Sequence, residues 1–305
     1  MLVFATSDKG GTGRSVTSCN LAYRSALRGK NVCYVDYDFG SPTAGAVFGI
    51  EVVARGTDAG GLHEYLLGHT PDPHRVNVWD KSERNSIRRR PDTSGDLVLM
   101  PGDRGGGEFA SSPEIVERCT DLFLRLEEQF DISIVDLSAG RSYAAEIVLG
   151  ALAAPDMEGV VARWLIHHRW TRQHILAAAG LLDGERGILD IGVQLGHDKR
   201  RLRESVRYVR TAVVDPDADD LAGLRAPQVA WLHDCNDSLN KLASREAIGR
   251  ANTLGDVPLD PVLQWREQIL TESDTHTREI ANVATVRAFE DLADRLTDDV
   301  AWEAL

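Results

Sequence analysis

An apolar run, Leu2–Thr6, leads straight into Lys9-Gly10-Gly11-Thr12-Gly13-Arg14-Ser15, and no other stretch constrains the fold as strongly. The run reads as a β-strand. The glycines Gly10, Gly11 and Gly13 let the backbone turn through φ > 0 and come close to a ligand. Consecutive N–H groups in such a turn converge into an anion-binding nest. A helix is predicted from about Ser15, with Val16, Cys19, Leu21, Ala22 and Ala26 on its apolar side and a stop at Gly29. Its N-terminus adds unpaired donors and partial positive charge, which suits a pyrophosphate. The loop has two departures from the usual glycine-rich phosphate loop. A lysine precedes the glycines, at Lys9, and Arg14 stands before the hydroxyl residue where a lysine is usual.

Two further apolar runs end in carboxylates. Val32-Cys33-Tyr34-Val35 leads to Asp36-Tyr37-Asp38, and Ile132-Ser133-Ile134-Val135 leads to Asp136, followed by Leu137-Ser138-Ala139-Gly140. Apolar runs bounded by polar turn residues read as buried parallel strands. In a doubly wound sheet, ligands sit beyond the C-terminal strand ends, so all three motifs point to one rim. Each aspartate, taken alone, reads equally well as a solvated strand-end residue.

The set Lys9–Ser15, Val35–Gly40 and Ile134–Gly140 resembles the deviant Walker A ATPases, the group that contains MinD and ParA, and is most similar to MinD-type members. The chain is also similar to an actinobacterial family of variant P-loop proteins. The resemblance covers about the first 150 residues well and loosens beyond. It implies an α/β fold, a doubly wound, mostly parallel sheet flanked by helices, binding ATP or ADP with Mg²⁺. It further implies a catalytic role for Lys9, reaching across a dimer to the partner's nucleotide, and for Asp38, positioning the attacking water. Gly10, Gly11, Thr12, Gly13, Arg14, Ser15 and Val16 would hold the nucleotide. Ser15, Asp36 and Asp136 would attend the metal, and Gly140 would belong to a switch. The family's adenine-contacting Asn has Asp215-Pro216 as its nearest counterpart.

Arg14 bears on rate. Lysine is a compact charge on a flexible stem, whereas arginine is a wider planar fork. A fork neutralises phosphate but follows a transferring phosphoryl group less closely, and phosphoryl transfer depends on positioning. The expectation is an ATP-binding switch with slow or absent hydrolysis, at most a weak ATPase. A pseudo-ATPase scaffold and a ParA-like, DNA-associated partitioning protein are the alternatives.

With 305 residues and 43% hydrophobic content the chain can bury a sizeable core, and one domain spanning 1–305 is expected. No run approaches the ~20 apolar residues needed to span a bilayer, and no secretion leader is read at the N-terminus. Cys19, Cys33, Cys119 and Cys235 form no C-x-x-C pair and read as reduced core thiols of a cytoplasmic protein. The net charge of −13 opposes general binding to DNA or anionic lipid.

Between the motifs, Gly60–Gly68 reads as a short amphipathic helix with a glycine stop and Pro71–Ser94 as a flexible loop or exposed ribbon carrying Arg88-Arg89-Arg90. Asp96–Met100 reads as a strand and Pro113–Gln129 as a helix. Gly159–Ile166, Val206–Val214 and Gln228–Leu232 are strand candidates, and Trp170–Leu182 and Leu239–Arg250 are helical. His167, His168 and His174 lack companions at metal-ligand spacing. The basic run Lys199–Arg210 would, as a helix, place Arg200, Arg203, Arg207 and Arg210 on one face for DNA or an acidic partner, or serve as a solvated face. Residues 284–305 form an amphipathic helix with Val286, Phe289, Leu292, Leu296 and Val300 on its apolar side and acidic residues opposite. Helices that bind anionic lipid are Lys/Arg-rich, so packing on the core or a partner is expected rather than membrane binding. The partners expected are a nucleotide-dependent second copy of the chain and a protein whose identity is not readable.

Overall fold

The computed structural model describes residues 1–217 and 223–303. Eight strands form one sheet in the order β3-β4-β2-β5-β1-β6-β7-β8. They are β1 (Leu2–Thr6), β2 (Val32–Tyr37), β3 (Val76–Asn77), β4 (Leu97–Met100), β5 (Ile132–Leu137), β6 (Ala162–Arg169), β7 (Val206–Val213) and β8 (Thr253–Pro258). All neighbours pair in parallel except β3, which runs antiparallel to β4 at the edge. The helices are α1 (Arg14–Leu27), α2 (Ala44–Phe48), α3 (Leu62–Leu66), α4 (Val78–Lys81), α5 (Asn85–Arg88), α6 (Pro113–Gln129), α7 (Tyr143–Leu152), α8 (Arg172–Asp183), α9 (Ile188–Gln194), α10 (Lys199–Glu204), α11 (Ala226–Arg245), α12 (Pro261–Trp265) and α13 (Val283–Thr297).

Central strands are apolar on both sides because each side of the sheet is covered. Leu2, Phe4, Val135 and Trp164 face one layer, with α6 and α7 over them, while Val3, Ile134, Leu165 and Val209 face α1 and α13. Helix α1 is buried from Val16 to Ala26, wedged between the sheet and α13. The α13 side chains Val286, Phe289, Leu292 and Leu296 complete that layer, so the amphipathic C-terminal segment spends its apolar face on the core. The helix ends at Thr297, short of the expected 305. Asp299–Trp302 continue as a 3₁₀ turn, Val300 is exposed, and residues 304–305 lie outside the described part.

Three readings are corrected. Pro71–Ser94 is not a loose ribbon: it carries β3, α4 and α5, and Val78, Trp79 and Ile87 are buried. Gln228–Leu232 is not a strand but lies in the first two turns of α11, whose end at Arg245 also falls short of Arg250. The basic run is not one helix. Lys199–Glu204 is helical, then Val206–Val213 is strand, because β-branched Val206, Val209 and Thr211 fit the pleat between β6 and β8. Arg207 and Arg210 are buried and each lies over a tryptophan ring, Trp302 at 5.4 Å and Trp170 at 4.1 Å. Arg200 pairs with Glu204 and Arg203 with Asp183. The four-arginine face assigned to DNA does not form. Among the described residues, no helix is long and apolar enough to cross a membrane.

Candidate functional site

The phosphate loop joins β1 to α1 at the C-terminal rim of the sheet. Gly13 caps α1 in the left-handed region, φ 74°, and Gly11 is left-handed at φ 70°. Left-handed backbone disfavours any residue with a Cβ, which accounts for glycine at these two positions. Gly10 has neither positive φ nor crowding. No side chain caps α1, so its first-turn N–H groups remain available to an anion. The loop is held from both sides. The Thr211 hydroxyl at the end of β7 donates to the Thr12 carbonyl at 2.5 Å, and the Gly140 N–H donates to the Ser7 carbonyl at 2.7 Å. Gly140, at φ 83°, thus ties the segment after β5 to the loop. Arg141 adds a second tie through Asp8, at 3.2 Å.

Strand pairing sets the carboxylates. Asp36 of β2 and Asp136 of β5 are direct register partners, so their side chains stand side by side at the rim. Arg14, 7% exposed, reaches into this acidic corner. Its Nε donates to Asp136 Oδ1 at 2.5 Å and its Nη2 to Asp38 Oδ2 at 2.8 Å. The Tyr34 hydroxyl donates to the other Asp136 oxygen at 2.8 Å. Burial works against the Arg14 charge, but Asp136 and Asp38 outweigh it and hold the guanidinium pKa above its ordinary value. Asp36 accepts the Ala44 N–H at 3.0 Å. Burial first, and the neighbouring Asp136 charge second, push its carboxyl up to about 8.

The loop opens on a cleft of about 560 Å³ lined by Gly10 to Val16, Asp38, Ser41, Ala139 and Arg169, with Leu263, Gln264 and Glu267 opposite. A smaller recess of about 60 Å³ continues past Gly13 and Thr17 to Thr211, Val257, Pro258 and Leu263. Asp215 lines neither space, and its carboxylate accepts the Asp217 N–H in a local turn. Lys9 is exposed on the loop's outer edge. Sequence reasoning missed Arg169, Thr211 and Tyr34. Arg169 and Thr211 lie past or inside strands whose ends were not fixed, and Tyr34 reads as an ordinary core aromatic.

Ser15, Asp36 and Asp136 are the donors the family resemblance implies for Mg²⁺, and the set does not fit it as arranged, because Asp136 is already taken and one Asp36 oxygen accepts from Ala44. Mg²⁺ requires near-octahedral oxygen ligands at about 2.0–2.1 Å. Both Asp136 oxygens are engaged by Arg14 and Tyr34, and Ser15 Oγ lies 3.4 Å from Arg14 Nη2. Among the described residues, no group of three or more His, Cys, Asp or Glu side chains is placed to hold a metal.

Below the loop, His167 and His168 are buried on β6. Burial, with Arg14 adding to it, holds His167 down to about 3, and burial holds His168 down to about 4. Both are neutral in the native protein at pH 7, while an unfolded chain protonates them near pH 6.5. The unfolded state therefore binds more protons, and their contribution to stability is lost as pH falls from about 6.5 toward those native values. His167→Leu is expected to flatten the decline in urea midpoint between pH 6.5 and pH 4 relative to wild type. Parallel curves for the two proteins would show that His167 is not kept neutral by the fold.

The profile of the CobQ/CobB/MinD/ParA nucleotide binding domain matches residues 3–223. The septum site-determining protein MinD of Bacillus subtilis is 32% identical over 138 residues, 45% of each chain, so the match spans about half the length of that curated relative. Among solved structures, the MinC:MinD cell division protein complex of Aquifex aeolicus superposes with a TM-score of 0.57 at 16% identity, covering 97% of this chain and 95% of that one. MinD of Pyrococcus horikoshii, complexed with Mg-ADP, gives 0.54 at 13% identity over 98% of both. The structural likeness, at these identities, speaks for the fold, and the profile match across most of the chain speaks for descent. This protein belongs to the CobQ/CobB/MinD/ParA nucleotide-binding family.

Proposed function

We propose that the protein is an ATP-binding switch of the MinD/ParA type, which forms a nucleotide-dependent dimer, engages a partner protein and hydrolyses ATP slowly or not at all. The observation that carries the reading is the uncapped N-terminus of α1, with left-handed Gly13, opening on a cleft that Asp38 and Arg169 also line. Its donors suit the phosphates, and the recess at Val257 and Pro258 suits a base. In this reading Lys9, which is exposed, would reach the nucleotide of a second copy. ATP binding would shift the monomer–dimer equilibrium only through contacts the γ-phosphate makes in the dimer and not in the monomer.

Slow hydrolysis follows from Arg14. Its guanidinium is committed to Asp136 and Asp38, the same Asp38 that would orient an attacking water. Reaction would require that pairing to rearrange, which removes the fixed positioning on which phosphoryl transfer depends. The same pairing favours the pseudo-ATPase scaffold as a second reading.

Isothermal titration with ATP and with ADP, alongside molecular mass measured with and without nucleotide, tests the proposal. Saturable binding is expected, with stabilisation of about 2.7 kcal/mol at a ligand concentration of 100 times Kd. ATP, but not ADP, is expected to raise the mass to that of a dimer. Turnover is expected well below about 1 per second, the lower end for kinases. Absence of binding to either nucleotide would remove the switch, and binding without a change in mass would leave only the scaffold.

A further inference from the structure

We propose that Arg14 is the resident cation of this site: its guanidinium pairs with Asp38 and Asp136 and lies beside Ser15, so that it takes up Asp136, one of the donors a divalent ion would need, and nucleotide phosphate binds without a metal. The inference rests on the nucleotide-binding reading above and adds to it how charge is balanced.

The geometry leaves little room for a second cation. Asp136 is 1% exposed and both its oxygens are taken, one by Arg14 Nε at 2.5 Å and the other by the Tyr34 hydroxyl at 2.8 Å. Asp38 accepts from Arg14 Nη2 at 2.8 Å, and the same nitrogen lies 3.4 Å from Ser15 Oγ. One planar group therefore spans the hydroxyl and both acids. A lysine ammonium could not, because it is a single point of charge, whereas a guanidinium presents five donors in a fixed fork. Nη1 makes no hydrogen bond among the described residues, and Arg14 lines the phosphate cleft. The fork thus offers one edge to the acids and has donors left for a phosphate oxygen. Mg²⁺ gives up its water reluctantly and accepts only oxygen ligands in near-octahedral array. To bind here it would have to break two short charge-assisted contacts, one of them fully buried.

The test uses the full chain. ATP is titrated calorimetrically into the protein in EDTA and in excess Mg²⁺, and Mn²⁺ replaces Mg²⁺ in a parallel sample read by electron paramagnetic resonance. For wild type, the two ATP Kd values are expected to agree within about threefold, and Mn²⁺ to show no protein ligation beyond that of Mn²⁺·ATP free in solution. Arg14→Lys frees the acids, so its ATP affinity is expected to rise at least about tenfold on adding Mg²⁺, with a new, immobilised Mn²⁺ signal. A wild-type affinity that falls more than about tenfold in EDTA, or a protein-ligated Mn²⁺ in the wild-type complex, overturns the proposal. If Arg14→Lys does not fold, the wild-type comparison decides alone. Absence of ATP binding in both buffers takes down the nucleotide reading itself, and this inference with it.

Discussion

Asp136→Ala is expected to destabilise the protein by about 3–5 kcal/mol, as removal of one partner from a buried ion pair does. Asp136 is 1% exposed, and its loss would leave the Arg14 guanidinium with Asp38 as its remaining carboxylate and the Tyr34 hydroxyl without its acceptor. An unpaired donor in the interior carries its own desolvation penalty, on top of the charge. The double variant Arg14→Met/Asp136→Leu removes charge and counter-charge together and is expected to recover most of the loss, because apolar residues of similar volume often replace a buried pair at little net change. Urea denaturation of wild type, Arg14→Met, Asp136→Leu and the double variant closes the cycle, with Asp136→Ala measured beside them. A loss below about 1 kcal/mol for Asp136→Ala would match an exposed pair and contradict the burial described here. A second readout is independent of stability. Asp136 is the second cause, after burial, of the raised Asp36 pKa, so Asp36 should titrate below its native value of about 8 in the variant. No movement of Asp36 would mean that the two carboxyls do not face one another.

The strength of that pair shows where sequence reasoning stops. Local features were legible. Leu2–Thr6, the glycine loop and α1 follow one another within the first 27 residues, and the apolar runs before Asp36 and Asp136 gave away two more strands. What no local pattern contains is the register that brings Asp36 opposite Asp136, 100 positions apart in the chain. Arg14 looked like a replacement that weakens phosphate contact. In the folded protein its nearest charges are acids, and its reach across the rim depends on that register.

The misread segments have equally specific causes. Gln228–Leu232 contains Val-Ala-Trp-Leu, an apolar run short enough to pass for a strand. It belongs to a helix with only Leu242 and Ala243 buried, so no buried stripe disciplines its pattern. The spacing of Arg200, Arg203, Arg207 and Arg210 happens to fit a helix, but β-branched residues between them fit a strand better. Burial of Arg207 is made possible from far away. Its guanidinium donates to the Ala301 and Glu303 carbonyls at 3.0 Å and stacks on Trp302, contacts supplied by the far end of the chain. Arginine can bury its stem and its plane together when carbonyls and an aromatic face are supplied. A charge count along the sequence has no access to such partners.

Phe4→Ala carries the other large expected effect, a loss of about 3–5 kcal/mol typical of deleting a buried aromatic side chain. Phe4 is fully buried at the centre of β1, with its ring 4.9 Å from Trp164 and 5.5 Å from Phe123. Both neighbours belong to elements that cannot easily close the gap. Trp164 sits in β6, hydrogen-bonded between β1 and β7, and Phe123 lies on α6 against the same layer. Interiors relax only partly around a deleted side chain, so the cavity term adds to the lost transfer energy. Phe4→Leu keeps much of the volume and is expected to lose less than half as much. The prediction also separates stability from binding. Phe4 lies on the strand that delivers the phosphate loop, but the loop's own ties are the hydrogen bonds from Thr211 and Gly140, not the aromatic cluster. The folded fraction of Phe4→Ala should therefore keep its ATP affinity while its urea midpoint falls. A loss below about 1 kcal/mol would mean that the Phe4–Trp164–Phe123 contact is not the close packing described. A full loss of ATP binding in protein that is still folded would mean that β1 packing, rather than the two ties, holds the phosphate loop in shape.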